Sequence, residues 1–251
     1  MLYIYYVTFS FSYTFKGGGT LAIFAISDLH LSLSCDKPMD IFVNNWVNYS
    51  ERIKNEWNKL VKEDDLVIVP GDISWATYLE DCFEDFNFIN KLNGKKIILK
   101  GNHDYWWTTI NKMNKYILEN GFDTMHFLQN NSYQYKNFSI CGTRGWSIKS
   151  SSSSELNSKI FEREKRRLIL SLEDAKQKSD GEIIVAMHYP PVEKENINYD
   201  FIDIMKQYDV KTCIYGHLHA QSIKNAITGD FCGVNLKLVS CDSINFTPIL
   251  L

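Results

Sequence analysis

The chain has no dominant charge: 27 Lys and Arg stand against 30 Asp and Glu, giving a net charge of −3 and a pI near 6.1. No global basic field therefore draws it to nucleic acid. Paired cysteine motifs are missing too. The six cysteines contain no CxxC and form no dense framework. Cys82, Cys141 and Cys213 sit inside apolar runs, where a free thiol behaves as a small hydrophobe. That usage disfavours a disulfide scaffold or a zinc knuckle and predicts a reducing, cytoplasmic setting. Residues 1–15 are aromatic-rich and uncharged but too short to cross a bilayer. They also lack the positive region and the cleavage site of a secretory signal.

At 251 residues, 45% hydrophobic and 23% charged, the chain suits one fairly large globular domain. We assign that domain to residues 21–251. Residues 1–20 read as an extension, with two readings open. The Lys16-Gly17-Gly18-Gly19 stretch is what a purine-rich ribosome-binding site yields on translation, so Leu21 could be an alternative start and the extension non-native. The rival is a genuine edge strand or a disordered tail.

What the chain does have is one arrangement used five times: a short apolar run, then residues able to ligate a metal or move a proton. Residues 21–26 lead into Asp28 and His30, and 66–69 into Gly71-Asp72. Residues 96–100 lead into Gly101-Asn102-His103-Asp104, 183–187 into His188, and 211–215 into Gly216-His217-Leu218-His219. Each run reads as a buried strand, and ligands in open α/β sheets gather at the carboxyl ends of strands. The glycine in Gly71-Asp72 and in Gly101-Asn102 is read as releasing a turn. Singly, each unit has an ordinary explanation, such as a helix N-cap for Asp72. Together they do not. Five of the six histidines (His30, His103, His188, His217, His219) occupy strand ends, which predicts that they meet at one edge of one sheet; His126 alone does not.

The remaining pattern predicts helices over 41–61, from Tyr78 through Ile89, and over 155–178, the last with a mixed-charge solvated face. Short strands at 125–128, 132–135 and 138–141 are read as antiparallel, with closing strands at 236–240 and 246–250. The serine run 150–154 is a lid or a plain linker. Trp106 and Trp107 either wall a pocket or fasten the next helix to the core. Arg144 either clamps a phosphoryl group bidentately or forms a structural ion pair.

Asp28, His30, Asp72, Asn102, His188, His217 and His219 supply nitrogen and oxygen ligands without a thiolate. Such a set suits Mn²⁺, Fe²⁺/Fe³⁺ or Zn²⁺. Seven ligands exceed what one ion with room for substrate can use, so two ions sharing a carboxylate are expected.

These five motifs, in this order between residues 28 and 219, resemble the calcineurin-like metallophosphoesterase superfamily. The stretches 71–76 and 142–146 look like a bacterial branch of predicted phosphohydrolases. The resemblance implies an α/β fold, a four-layer α/β/β/α sandwich of two mixed sheets flanked by helices. It implies Asp28, His30, Asp72 and His219 on one divalent ion, and a bridging Asp72 with Asn102, His188 and His217 on the other. His103 would stand outside the metals, protonating the leaving oxygen or steadying the phosphoryl group, with Asp104 orienting it. The expected reaction is attack of a metal-bridging hydroxide on a phosphomonoester or phosphodiester. Arg144, Trp75, Tyr105 and Trp106 are candidates for substrate contact. A metal-dependent nuclease and a non-catalytic interaction scaffold are the alternatives; the nuclease would need a basic groove. Neither the substrate nor the oligomeric state is legible.

Overall fold

Alternation along the strands decides the layering. In a strand successive side chains point to opposite faces, and in β2 (Leu66–Val69) Val67 and Val69 pack with the helices while Leu66 and Ile68 pack toward a second sheet. The computed structural model describes residues 21–35, 37, 39, 44–147, 155–194 and 197–251. The extension 1–20 and the serine run 150–154 lie outside the described residues.

The first sheet has the order β11-β1-β2-β3-β4, with β1 (Ile23–Ala25), β3 (Lys95–Leu99), β4 (Met125–Leu128) and β11 (Ile249–Leu250). Strands β1 to β4 are parallel, as crossover helices between them demand, and β11 is antiparallel. Those helices are α1 (Tyr49–Leu60), α2 (Phe83–Lys91) and α3 (Ile110–Glu119). The second sheet runs β5-β6-β7-β8-β10-β9. It comprises β5 (Tyr133–Tyr135), β6 (Phe138–Thr143), β7 (Glu182–Met187), β8 (Thr212–Tyr215), β9 (Gly229–Phe231) and β10 (Val234–Leu238). Helices α4 (Glu155–Lys178) and α5 (Asp200–Gln207) connect β6 to β7 and β7 to β8.

Three apolar cores hold the layers together. Ile53, Trp57, Phe86 and Met113 press α1, α2 and α3 on the outer face of the first sheet. Leu168, Leu172, Phe201 and Met205 press α4 and α5 on the outer face of the second. Ile23, Ile68, Ile97, Ile140, Ile184 and Ile214 fill the space between the sheets. Burial on both faces is why the strands read as unbroken apolar runs. The result is the α/β/β/α sandwich.

Several expectations change. Strand 125–128 is parallel to β3, because α3 returns the chain to the same edge of the sheet; only β5 and β6 in that region pair antiparallel. The helix read from residue 41 starts at Tyr49, after Asn48 in the left-handed region (φ 52). The last strand shrinks to Ile249–Leu250, since Asn245 (φ 52) and Phe246 (φ 59) break extension before it. No helix begins at Asp72, so it has nothing to cap.

Candidate metal centre

The parallel ladder does not stop where the strands end. Past β1 and β2, the amides of Asp28 and His30 donate to the carbonyls of Gly71 (2.9 Å) and Asp72 (2.9 Å). The amide of Ser27 donates across to Val239 O at 2.8 Å, joining the first sheet to the second at the same place. The strand-end histidines therefore come from two sheets that meet, rather than from one. His30 and His103 follow strands of the first; His188, His217 and His219 follow strands of the second.

Bringing five loops together this closely strains the backbone. Asp28 (φ 61), His30 (φ 43), Asp72 (φ 53) and His217 (φ 72) are all left-handed, a region few non-glycine residues visit and one that clusters at functional sites. Gly71 needs its freedom twice, for φ 89 and because a Cβ there would lie 2.6 Å from Gly101 Cα. Gly101 does not release a turn. It is glycine because a Cβ would overlap the Asp72 carboxylate.

Two groups of ligand atoms converge around Asp72. In the first, His219 Nε2 is 2.9 Å from Asp28 Oδ1 and 3.3 Å from His30 Nε2, and His30 Nε2 is 3.6 Å from Asp72 Oδ2. In the second, Asn102 Oδ1 is 2.7 Å from His188 Nε2 and 2.8 Å from His217 Nδ1, and His188 Nε2 is 3.5 Å from Asp72 Oδ2. Three groupings are able to hold a metal ion: Asp28, His30 and His219; Asp28, Asp72 and His188; and His30, Asp72 and His103. The donor set is wholly nitrogen and oxygen, matching borderline and hard divalent ions.

Electrostatics favour a cation here. Burial pulls His30 down to about 4, and burial with the neighbouring His188 pulls His217 down to about 3. Both imidazoles are thus neutral near pH 7 with lone pairs to offer. Burial works against ionised Asp28, but His219 beside it brings it down to about 2. Asp72, also buried, is held far below the carboxylate range by His188, His103 and His30. His219 resists its own burial because Asp28 and Asp242 push it up to about 10. The proton it carries lies where two carboxylates call for positive charge.

Neighbouring groups orient the ligands, as metal sites require. Pro70 O accepts from His188 Nδ1 (2.9 Å), which leaves Nε2 facing the centre. Asp242 Oδ1 does the same for His219 Nδ1 at 3.0 Å. Motif spacing does not single out Asp242, although it follows the apolar run of β10 just as the other acids follow theirs.

His103 Nδ1 lies 2.8 Å from Asp72 Oδ2, and its amide donates to Asp72 Oδ1 at 2.8 Å. Asp72, not Asp104, orients the ring. The buried Asp104 instead accepts the amides of Asp72 (2.9 Å), Ile73 (2.8 Å), Ser74 (3.4 Å) and Gly101 (2.7 Å), and Trp106 Nε1 (3.1 Å). Its task is to hold two ligand loops in register. Asp104→Asn would turn an amide N–H₂ toward those donors, and it is expected to cost roughly 3 kcal/mol in denaturant unfolding.

Of the candidate substrate contacts, Trp106 is corrected: it is 2% exposed and packs on Phe86 and Phe127 in the core. Trp75 lies against the rings of His30 (4.9 Å) and His103 (4.6 Å), and the 59% exposed Tyr105 flanks His103. Arg144 reaches Glu164 (3.8 Å) and lies over Trp146 (4.8 Å), with its buried Nε unpartnered among the described residues. His126 lies on β4 beside Tyr133, away from the centre. Among the described residues no helix is long and apolar enough to cross a membrane.

The model of the family described as calcineurin-like phosphoesterase matches residues 21–221. No curated protein matches the chain. Phosphopantetheinyl hydrolase from Mycobacterium tuberculosis superposes with a TM-score of 0.55 at 15% identity, covering 89% of this chain and 90% of that one. A Thermus thermophilus protein gives 0.52 at 12% identity, covering 80% and 83%. A protein of unknown function from Aquifex aeolicus gives 0.47 at 16% identity, covering 92% and 96%. For the first two of these, at 15% and 12% identity, the likeness is one of fold.

Proposed function

Because the chain belongs to the calcineurin-like phosphoesterase family, we propose that it hydrolyses phosphomonoesters or phosphodiesters with two divalent ions, Mn²⁺, Fe²⁺/Fe³⁺ or Zn²⁺. Asp28, His30, Asp72 and His219 would hold one, and Asp72, Asn102, His188 and His217 the other. The observation that carries this reading is the pair of ligand groups meeting on Asp72 Oδ2, which lies 3.6 Å from His30 Nε2 and 3.5 Å from His188 Nε2. When bound, such a pair activates water near neutral pH and neutralises charge on the phosphoryl oxygens.

The protein's own residues do the rest. Asp72 accepts from His103 Nδ1, which leaves Nε2 as the atom to give a proton to the leaving oxygen. Trp75 fixes the His103 ring from one side and Tyr105 borders the open side, so both are proposed to contact substrate. The catalytic unit is residues 21–251. Cys82, Cys141, Cys213 and Cys241 are buried among apolar side chains, and a reducing cytoplasm is the setting proposed for that usage.

Hydrolysis of p-nitrophenyl phosphate and bis-p-nitrophenyl phosphate with each added metal tests the reading. Metal-dependent release of nitrophenol is expected; no turnover of either ester with Mn²⁺, Fe²⁺ or Zn²⁺ would overturn it.

His103 supplies a sharper check. Burial opposes its charge, but the hydrogen bond and charge of Asp72 hold the imidazole above its usual range. A proton donor works below its pKa, so activity should fall as pH rises through that value. In His103→Ala the alkaline fall should vanish and kcat should drop about 10²–10⁴-fold, with KM little changed.

A further inference from the structure

A cavity of about 200 Å³ opens beside the centre, at the carboxyl ends of β3, β4 and β6. Lys100, Arg144 and Arg167 line it, with Glu164 as the acid among its lining residues. Glu164 is fully buried and shared by three guanidiniums: Arg167 Nη1 at 2.8 Å, Arg163 Nε at 3.5 Å and Arg144 Nη2 at 3.8 Å. Thr143 Oγ1 also donates to it at 2.7 Å. Lys100 has no acid within ion-pair distance among the described residues. Buried or half-buried cations in excess over acids are costly unless an anion completes them.

The wall is built for such an anion. Arg144 Nε is buried and without a partner among the described residues. Gln129 accepts from Trp107 Nε1 through its carbonyl oxygen at 2.9 Å, which leaves its amide N–H₂ as a donor. The three lining cations against the one lining carboxylate leave two positive charges, equal in number and opposite in sign to those of a phosphate dianion. Guanidiniums are also the side chains best shaped to hold phosphate oxygens in pairs.

The chain ties the cavity wall to the ligand loops. Lys100 lines it, and Asn102 stands two residues further along in the metal centre, so their Cα atoms are at most about 7.6 Å apart. The carbonyl of Arg144 accepts the amides of His188 (3.2 Å) and Tyr189 (2.8 Å), fastening the cavity wall to a proposed metal ligand.

We infer that this cavity binds a second phosphate group carried by the substrate, so that the ester cleaved at the Asp72 centre belongs to a compound with two phosphates. The inference rests on the phosphoesterase reading, and binding can be read apart from turnover. Alkane α,ω-diphosphonates with two to six carbons between the phosphorus atoms resist hydrolysis because they carry C–P bonds. Calorimetric titration of the metal-loaded protein with this series and with the matching monophosphonates reads the cavity directly.

At the best length the diphosphonate should bind about tenfold tighter than the monophosphonate. Lys100→Met and Arg167→Met, which keep the apolar stems, should each reduce that preference several-fold, and the double variant should remove it. Monophosphonate affinity should stay within about twofold, since neither residue is proposed to hold a metal. Equal binding of both classes by the wild type, or a preference unchanged in the variants, would overturn the inference. If inorganic phosphate alters p-nitrophenyl phosphate turnover in the wild type but not in the double variant, the cavity takes free phosphate and its assignment to the substrate falls. A diphosphonate preference that depends on Lys100 and Arg167, in a protein that cleaves no ester, would instead sink the phosphoesterase reading and leave the cavity standing.

Discussion

Asp72→Asn is expected to lower kcat/KM by at least about 10³-fold, the equivalent of several kcal/mol of transition-state stabilisation. Three things are lost with one charge. The carboxylate is proposed to serve both ions, it faces His30 and His188, and its Oδ2 accepts from His103 Nδ1. Asparagine is the right replacement because Asp72 sits at φ 53, a conformation asparagine adopts more readily than most residues. Asp72→Ala would mix a backbone penalty into the result. His188→Ala should be comparably inactive, since His188 Nε2 lies in the second ligand group while Nδ1 is held by Pro70 O. Steady-state kinetics with circular dichroism on the same samples check both. Retained activity in a folded Asp72→Asn protein would rule out a bridging carboxylate.

Removing divalent ions should have the second large effect. Chelation is expected to abolish turnover, and added Mn²⁺ to restore it. The same treatment should lower Tm, because a ligand that binds only the folded chain stabilises it by about 4 kcal/mol at a thousandfold excess over Kd. The physical reason is local. Asp28 and Asp72 are buried carboxylates on strained backbone, and a bound cation would neutralise charge there that His30 and His217, both neutral near pH 7, do not. A chelated protein with unchanged activity and unchanged Tm would refute a metal mechanism.

Much of this site was legible because the fold writes it locally. An apolar run followed at once by Asp28 or His188 is visible one strand at a time, and neighbouring parallel strands end on the same side. What the local pattern could not tell was which strand ends face each other. Strand-end spacing alone puts the histidines on one sheet, whereas β1 and β10 bring two sheets into contact through Ser27 and Val239. Asp104 shows a second limit. Its place in Gly101-Asn102-His103-Asp104 suggested work on the adjacent histidine, but its oxygens face the amides of Asp72 and Ile73, about thirty residues back. Trp106 and Trp107, indistinguishable in sequence, part ways for the same reason: one is sealed between Phe86 and Phe127, and the other lines the cavity beside Gln129. The cluster around Glu164 was hidden because α4 reads as a solvated charged helix. Only the packing of α4 against β6 shows that one of its acids is buried.

An anomalous-difference map from crystals grown with Mn²⁺ reaches the core of the account without a substrate. It should show two peaks about 3.5–4 Å apart. One should be bounded by Asp28, His30, Asp72 and His219, and the other by Asp72, Asn102, His188 and His217. A single peak, or a pair that leaves Asp72 untouched, would contradict the binuclear centre proposed here.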